Sequence, residues 1–188
     1  VSLKYWFTFE SHFLNLFCAN VTGSLVILLH CVLFNTFNIN DPYWSVQALF
    51  NASYYFFFTA DRTSLRATLV YGLVNVWAVR LLSHLIVSNV HDINDEDWRY
   101  ASLRQKWNST LLYFVLGFLG IMFMPTVLVF FGCVPIGYVV ASSRTPINIL
   151  DFVAFTVMLV GIVFESVSDY QLLQEVRLAA QKSKYIII

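Results

Sequence analysis

The chain has 188 residues, of which 59% are hydrophobic and 12% are charged, and its formal net charge is zero. Soluble domains carry about 25% charged residues, and a chain of this size cannot hide so much apolar surface from water in one core. The composition therefore predicts an integral membrane protein in a lipid bilayer. The balanced charge argues against a nucleic-acid-binding domain.

Five long apolar stretches follow one another along the chain. A membrane helix needs about 20 mostly apolar residues, and these stretches lack the alternation that is typical of barrel strands. The sequence therefore predicts an all-α, polytopic bundle of about five spans that forms a single membrane domain over residues 1–188. The predicted spans are 11–37, 43–60, 67–88, 110–131 and 147–168, followed by a polar tail over 170–188.

The fourth stretch is longer than one straight span requires. It stays uncharged from Thr110 to Ser143 and contains Pro125 and Pro135. Proline removes a backbone donor and interrupts a helix. We therefore expect the span to end near Phe131 and a bent, interfacial piece to follow around Pro135.

Lysine and arginine in short loops orient membrane helices. With five spans, one side holds four such residues and the other holds six. The excess favours placing the loop 92–108 and the C-terminal tail in the cytosol, or in the matrix of a mitochondrion. The pattern fits the mitochondrial inner membrane and the endoplasmic reticulum equally well. The six are Arg99, Arg104, Lys106, Arg177, Lys182 and Lys184.

Charged residues inside the spans are the first candidates for function. Arg80 lies in the third span, where a charge costs about 2.5–3.5 kcal/mol on insertion scales. It either contacts a phosphate or cofactor, or it snorkels to the nearby membrane surface. Glu165 and Asp169 share one helical face at the end of the fifth span, where like charges repel. Arg80, a loop arginine or a donor-rich ligand must compensate them, or both acids mark where the helix leaves the membrane.

The loop after the third span mixes acids, arginines and aromatic residues. Arg104 could reach a phosphate, although the composition of 95–104 is also that of an amphipathic surface helix. The four histidines show no metal-ligand spacing, so we expect no metal and assign His30 and His84 to hydrogen bonds between helices. The seven glycines form no phosphate-binding loop, and no catalytic residue is assigned.

Five blocks along the chain, taken in order, resemble a known family. They cover about residues 41–171 and are similar to the steroid 5-alpha-reductase-like membrane proteins, in the branch known only as a domain of unknown function. The blocks are Asp41-Pro42-Tyr43-Trp44, Val76-Trp77-Ala78-Val79-Arg80-Leu81, Glu96-Asp97-Trp98-Arg99-Tyr100 with Arg104, Met124-Pro125-Thr126 with Gly132-Cys133-Val134-Pro135, and Glu165-Ser166-Val167-Ser168-Asp169-Tyr170-Gln171.

The resemblance implies a helical membrane fold with an NADPH pocket that faces the cytosol. Members of this family reduce carbon–carbon double bonds in sterols and other lipid-like enones. By position, Glu165 and Asp169 match the block that binds the nicotinamide–ribose end of the cofactor. Arg80 and Arg104 match positions suited to its phosphates.

The chain also departs from the family pattern. No aromatic and basic pair follows Gln171, no Arg-His-Pro-Asn-Tyr-type motif precedes Ile188, and the Gln-Glu pair that holds a steroid carbonyl is not found. These departures favour a degenerate, non-catalytic accessory or structural subunit of a larger membrane complex. The alternative is an NADPH-dependent reductase of a sterol or lipid-like enone. A transporter is disfavoured because, apart from Arg80 and Asp151, the spans lack an acidic or basic path.

Overall fold

A computed structural model describes residues 3–58, 64–89, 96–141 and 146–186 of the chain. Within these ranges every regular element is a helix, which confirms the predicted all-α class. The elements are α1 (Leu3–Phe34), α2 (Asn40–Phe58), α3 (Leu65–Asn89), α4 (Trp98–Trp107), α5 (Thr110–Gly117), a π-helical segment (Phe118–Phe123), α6 (Met124–Ala141) and α7 (Ile149–Ile186).

Four apolar helical stretches in the described part of the chain are long enough to cross a membrane. They agree with the predicted spans apart from their ends, and they support an integral membrane protein. The stretches are Ser11–Phe34, Leu65–Val87, Thr110–Val140 and Ile149–Ala179.

The predicted span 43–60 corresponds to α2, which is not among these four because it is too polar. Asn40, Gln47 and Asn51 are buried on it. Asn40 lies beside Ile121 at one end of the bundle, and Tyr55 packs on Gly137 at the other. Helix α2 therefore runs the length of the bundle as a central helix, and its polar side chains bond to its neighbours instead of facing lipid.

The fourth stretch does not bend after Phe131, so that prediction is wrong. Helix α6 continues through Pro135 to Ala141, and the irregular turn is the π-helical segment just before Pro125. Pro125 has no N–H to donate to the carbonyl of Ile121 in an α-helix. Asn40 Nδ2 donates to that oxygen instead, at 3.0 Å. A side chain of α2 thus satisfies the carbonyl that Pro125 leaves free.

Two aromatic clusters form the core at opposite ends of the bundle. One surrounds Tyr55 and Phe130, and the other surrounds Phe37 and Tyr113. Gly117 allows Phe37 to approach the α5 backbone, since a Cβ on this glycine would lie 2.5 Å from the ring. We call the end of the bundle that holds Phe37 and α4 the α4 face.

The last helix extends beyond the predicted span 147–168. Helix α7 continues without a break from the apolar part into the polar tail. It packs against α3, and two ionic contacts fix the direction. Arg66 pairs with Asp151, and Arg80 pairs with Glu165. Both intervals are fourteen residues, or about 21 Å of helix, so α3 and α7 run parallel and in register.

Candidate functional site

Arg80 lies between the two acids of α7. Its Nη2 atom is 2.6 Å from Glu165 Oε1, and its Nη1 atom donates to Asp169 Oδ2. The sequence left open whether Arg80, a loop arginine or a ligand compensates the two acids. In the structure Arg80 lies beside both carboxylates. Glu165 and Asp169 can share one guanidinium because they lie one helical turn apart.

Two further side chains of α3 join this group, and the sequence analysis did not assign them to it. Trp77 Nε1 donates to Glu165 Oε2 at 3.1 Å, and His84 Nε2 lies 3.8 Å from Asp169 Oδ1. Trp77, Arg80 and His84 follow one another at i, i+3 and i+7, which places them on one helical face. That spacing was the signal in the sequence. We call these five residues the Arg80 cluster.

The Arg80 cluster is not balanced. It holds one arginine against two carboxylates, so the acids exceed the arginine by one formal charge. The Arg80 side chain is only 17% exposed. Its Nε and Nη2 atoms are buried and donate no hydrogen bond to the described residues, although Nη2 is within ion-pair distance of Glu165. The cluster therefore retains spare carboxylate lone pairs, and Arg80 Nε has no partner among the described residues.

The second contact between α3 and α7 is complete by comparison. Arg66 donates through Nε and Nη2 to the two oxygens of Asp151, at 2.8 and 2.6 Å. Arg66 Nη2 also donates to the carbonyl of Pro146, and the backbone N–H of Asn148 donates to Asp151. One cation meets one anion in a bidentate pair. We call this contact the Arg66 clamp.

The structure does not bring Arg104 into the Arg80 cluster. Its Nε and Nη2 atoms donate to Glu96, at 2.9 and 2.7 Å, and it also donates to the side chain and carbonyl of Asn35. Its guanidinium lies 4.1 Å from the ring centre of Tyr113. These contacts engage all three nitrogens and attach α4 to the turn between α1 and α2. A phosphate contact for Arg104 remains a prediction.

Helix α4 is the surface helix that the composition of the loop predicted. Asp97 caps its first turn by accepting from the backbone of Arg99, and Asn108 ends it in the left-handed conformation. The Arg99 side chain also bonds Asp97, and these contacts hold the pKa of Asp97 below its usual value. Burial raises the pKa of Glu96, but the bonds from Arg104 and Tyr113 outweigh it and lower the pKa overall.

Neither His12 nor His30 contributes to the Arg80 cluster. His12 Nδ1 is 3.0 Å from the hydroxyl of Tyr54 on α2. His30 stacks on Phe34 within α1, and its buried Nδ1 atom has no hydrogen-bond partner among the described residues, so the structure does not show the bond between helices that was predicted for His30. His91 falls outside the described residues. No group of three metal-ligating side chains occurs among the residues that the structure describes.

The fold and these clusters define a helical integral membrane protein with charged residues inside its spans. A family model described as protein of unknown function (DUF1295) matches residues 28–186. The chain belongs to this family. Among curated proteins and among solved structures, none matches the chain significantly.

Proposed function

We propose that the chain is a membrane-embedded reductase that binds NADPH at the Arg80 cluster and reduces a carbon–carbon double bond in a lipid-like enone. The observation that carries the proposal is the contrast between the two contacts on α3 and α7. The Arg66 clamp pairs one cation with one anion, whereas the Arg80 cluster has one carboxylate in excess.

The cost of charge within a membrane favours this interpretation. Each ionised group in a span costs several kcal/mol unless it is paired or hydrated, and an ion pair buried only for tethering is often no better than apolar packing. A tether needs one cation and one anion, as at Arg66. A second carboxylate and an aligned histidine increase the free-energy cost of placing polar groups in the membrane, and they are not needed to tether the helices. We therefore take them as an indication of a bound ligand.

The residues fit the neutral end of a nicotinamide nucleotide. Spare oxygens of Glu165 and Asp169 would accept from ribose hydroxyls and from the carboxamide NH₂. When bound, NADPH supplies a hydride. The negative charge of the cluster disfavours the phosphates there. Arg104 would serve a phosphate only by releasing Glu96 or Asn35, so the proposal rests on the other three residues.

Binding of NADPH to the full chain in lipid nanodiscs tests the proposal, with nucleotide fluorescence as the measurement. Losing one bond to a charged group costs about 1.5–3 kcal/mol, so Asp169→Asn should weaken binding at least about tenfold. Asp151→Asn is the matched control on the same helix and should leave the affinity unchanged. Absence of binding by the wild type, or equal binding by Asp169→Asn, would overturn the proposed site.

The accessory-subunit function remains the second candidate, and the exposure of α7 favours it. Phe152, Val157 and Phe164 are more than 60% exposed, and α7 packs mainly on α3. Such a helix has apolar surface on most sides for lipid or for another subunit. Purification from the native membrane in mild detergent is the test. A fixed ratio to a partner that Phe164→Ser disrupts would support a subunit, and a stable monomer would argue against it.

A further inference from the structure

A cleft at the α4 face lies outside the Arg80 cluster. Its volume is about 290 Å³, close to the lower end of the range of about 300–1,000 Å³ for small-molecule sites. Polar residues of α2 and α4 form one end, and apolar residues of α2, α6 and the π-helical segment form the rest. The lining residues are Asn40, Asp41, Trp44, Tyr100, Ile121, Pro125, Leu128 and Val129.

Hydrogen bonds hold the side chains at the polar end of the cleft in place. Asp41 Oδ1 accepts from the Tyr100 hydroxyl at 2.8 Å, and Oδ2 accepts from Arg99 Nη2 at 2.7 Å. Tyr100 is only 5% exposed, and Asn40 Nδ2 is committed to the carbonyl of Ile121. A carboxylate has about four lone-pair sites, so Asp41 can accept further bonds. This end of the cleft is therefore suited to a group that donates.

Local charge narrows the class of ligand. Arg99 also bonds Asp97, so one cation serves two acids beside the cleft. The surplus negative charge repels a carboxylate or phosphate head. A hydroxyl can donate to Asp41 without bringing a charge of its own, and it avoids the cost of moving an ammonium next to apolar walls.

The apolar end of the cleft includes an exposed residue of α6. Leu128 is 60% exposed and lies within the apolar stretch Thr110–Val140. Its exposed side faces the hydrocarbon of the bilayer if this stretch spans the membrane. An apolar chain could therefore enter from the lipid, with its polar head stopping at the α4 face. The volume is that of about ten water molecules, which suits one chain and no bulkier body.

We propose that this cleft binds an uncharged single-chain lipid with a hydroxyl head, placing the hydroxyl at Asp41 and the chain along Pro125 and Leu128. The inference rests on the cleft and does not depend on a cofactor. The cleft does adjoin the Arg80 cluster, because the rings of Trp44 and Trp77 have centres 6.4 Å apart.

A photoreactive long-chain alcohol tests the proposal, using the full chain in nanodiscs and mass spectrometry of the labelled peptides. The label should fall on residues 121–129 and be displaced by unlabelled dodecanol. Asp41→Asn should reduce labelling about tenfold, as expected for a lost bond to a charged group. Leu128→Trp narrows the cleft and should abolish labelling. Leu150→Trp, which changes an exposed residue of α7, is the matched control.

The outcomes separate specific from general lipid contact. Labelling spread evenly over the exposed helices, or unchanged in Leu128→Trp, would overturn the site. Stronger labelling by the fatty acid or the amine of equal length would overturn the hydroxyl head. Labelling that persists in Asp169→Asn supports a site independent of the Arg80 cluster, and its loss there would contradict that independence.

Discussion

The Arg66 clamp and the Arg80 cluster join the same two helices in the same register, and they differ in composition. At Arg66 one guanidinium meets one carboxylate, and both side chains are largely buried, at 11% and 16% exposed. At Arg80 one guanidinium meets two carboxylates, which are 40% and 25% exposed. In the Arg66 clamp every charge is paired. In the Arg80 cluster one carboxylate is in excess and could accept hydrogen bonds from another molecule.

The difference separates two uses of charge in a membrane helix. A neutral bidentate pair near a helix end fixes register at little cost, because its charges are fully matched. An unmatched cluster with a partly open side costs stability, and that cost points to binding. Substitutions at the two sites should therefore divide into effects on stability alone and effects on binding.

The largest effect should come from Arg80→Met. Two carboxylates would remain unpaired in the span, and breaking a buried pair typically costs about 3–5 kcal/mol. Since Glu165 is partly exposed, we expect a loss of roughly 3 kcal/mol in unfolding free energy, together with loss of NADPH binding. Thermal unfolding in detergent measures the first. The exposed Arg177→Met is the control, and equal stability of the two variants would refute the role of Arg80.

Arg66→Met should rank second. It removes the partner of Asp151, but Asp151 lies at the first turn of α7 and keeps its bond from Asn148. We expect a loss in unfolding free energy that is smaller than the loss in Arg80→Met. NADPH affinity, measured by the same titration as for wild type, should not change. A parallel loss of affinity would mean that the clamp and the cluster act as one unit.

Asp169→Asn should change stability least among these three and still affect binding. It removes the surplus charge and leaves the pair of Arg80 with Glu165 intact. Relief of repulsion should offset the weaker bond, so unfolding free energy should change by less than about 1 kcal/mol. A melting curve that falls as far as that of Arg80→Met would show that the second acid serves structure.

An effect of similarly small size on stability should appear at the Glu96–Arg104 pair outside the spans. The pKa of Glu96 is lower in the fold than its ordinary value of 4.5. Its stabilisation is therefore complete above about pH 4.5 and is lost as pH falls through the folded pKa. We expect at most about 1 kcal/mol. Melting temperatures of wild type and Glu96→Gln should converge on acidification, and a constant gap would contradict the pairing.

Particular residues show which features of the fold and of the candidate site the sequence could predict. The helices of the apolar spans were predicted because long apolar runs have only one stable form in lipid. Arg80, Glu165 and Asp169 were chosen because charge there is costly. Trp77 and His84 were missed, although their spacing from Arg80 placed them on its face. The bend predicted after Phe131 was wrong, because α6 continues through Pro135. The irregular segment lies before Pro125, where Asn40 of another helix satisfies the carbonyl of Ile121, and the local sequence does not show that contact.

The sequence by itself determined the helical membrane class and the membership in the family of unknown function (DUF1295), since hydropathy and the order of motifs are properties of the chain. Tertiary structure decided the partners. Which arginine meets which acid depends on α3 and α7 running parallel in register, and nothing local to either helix specifies that. The central position of α2 could likewise not be predicted from the sequence. Its polar side chains are stable inside the bundle only when neighbouring helices accept their hydrogen bonds.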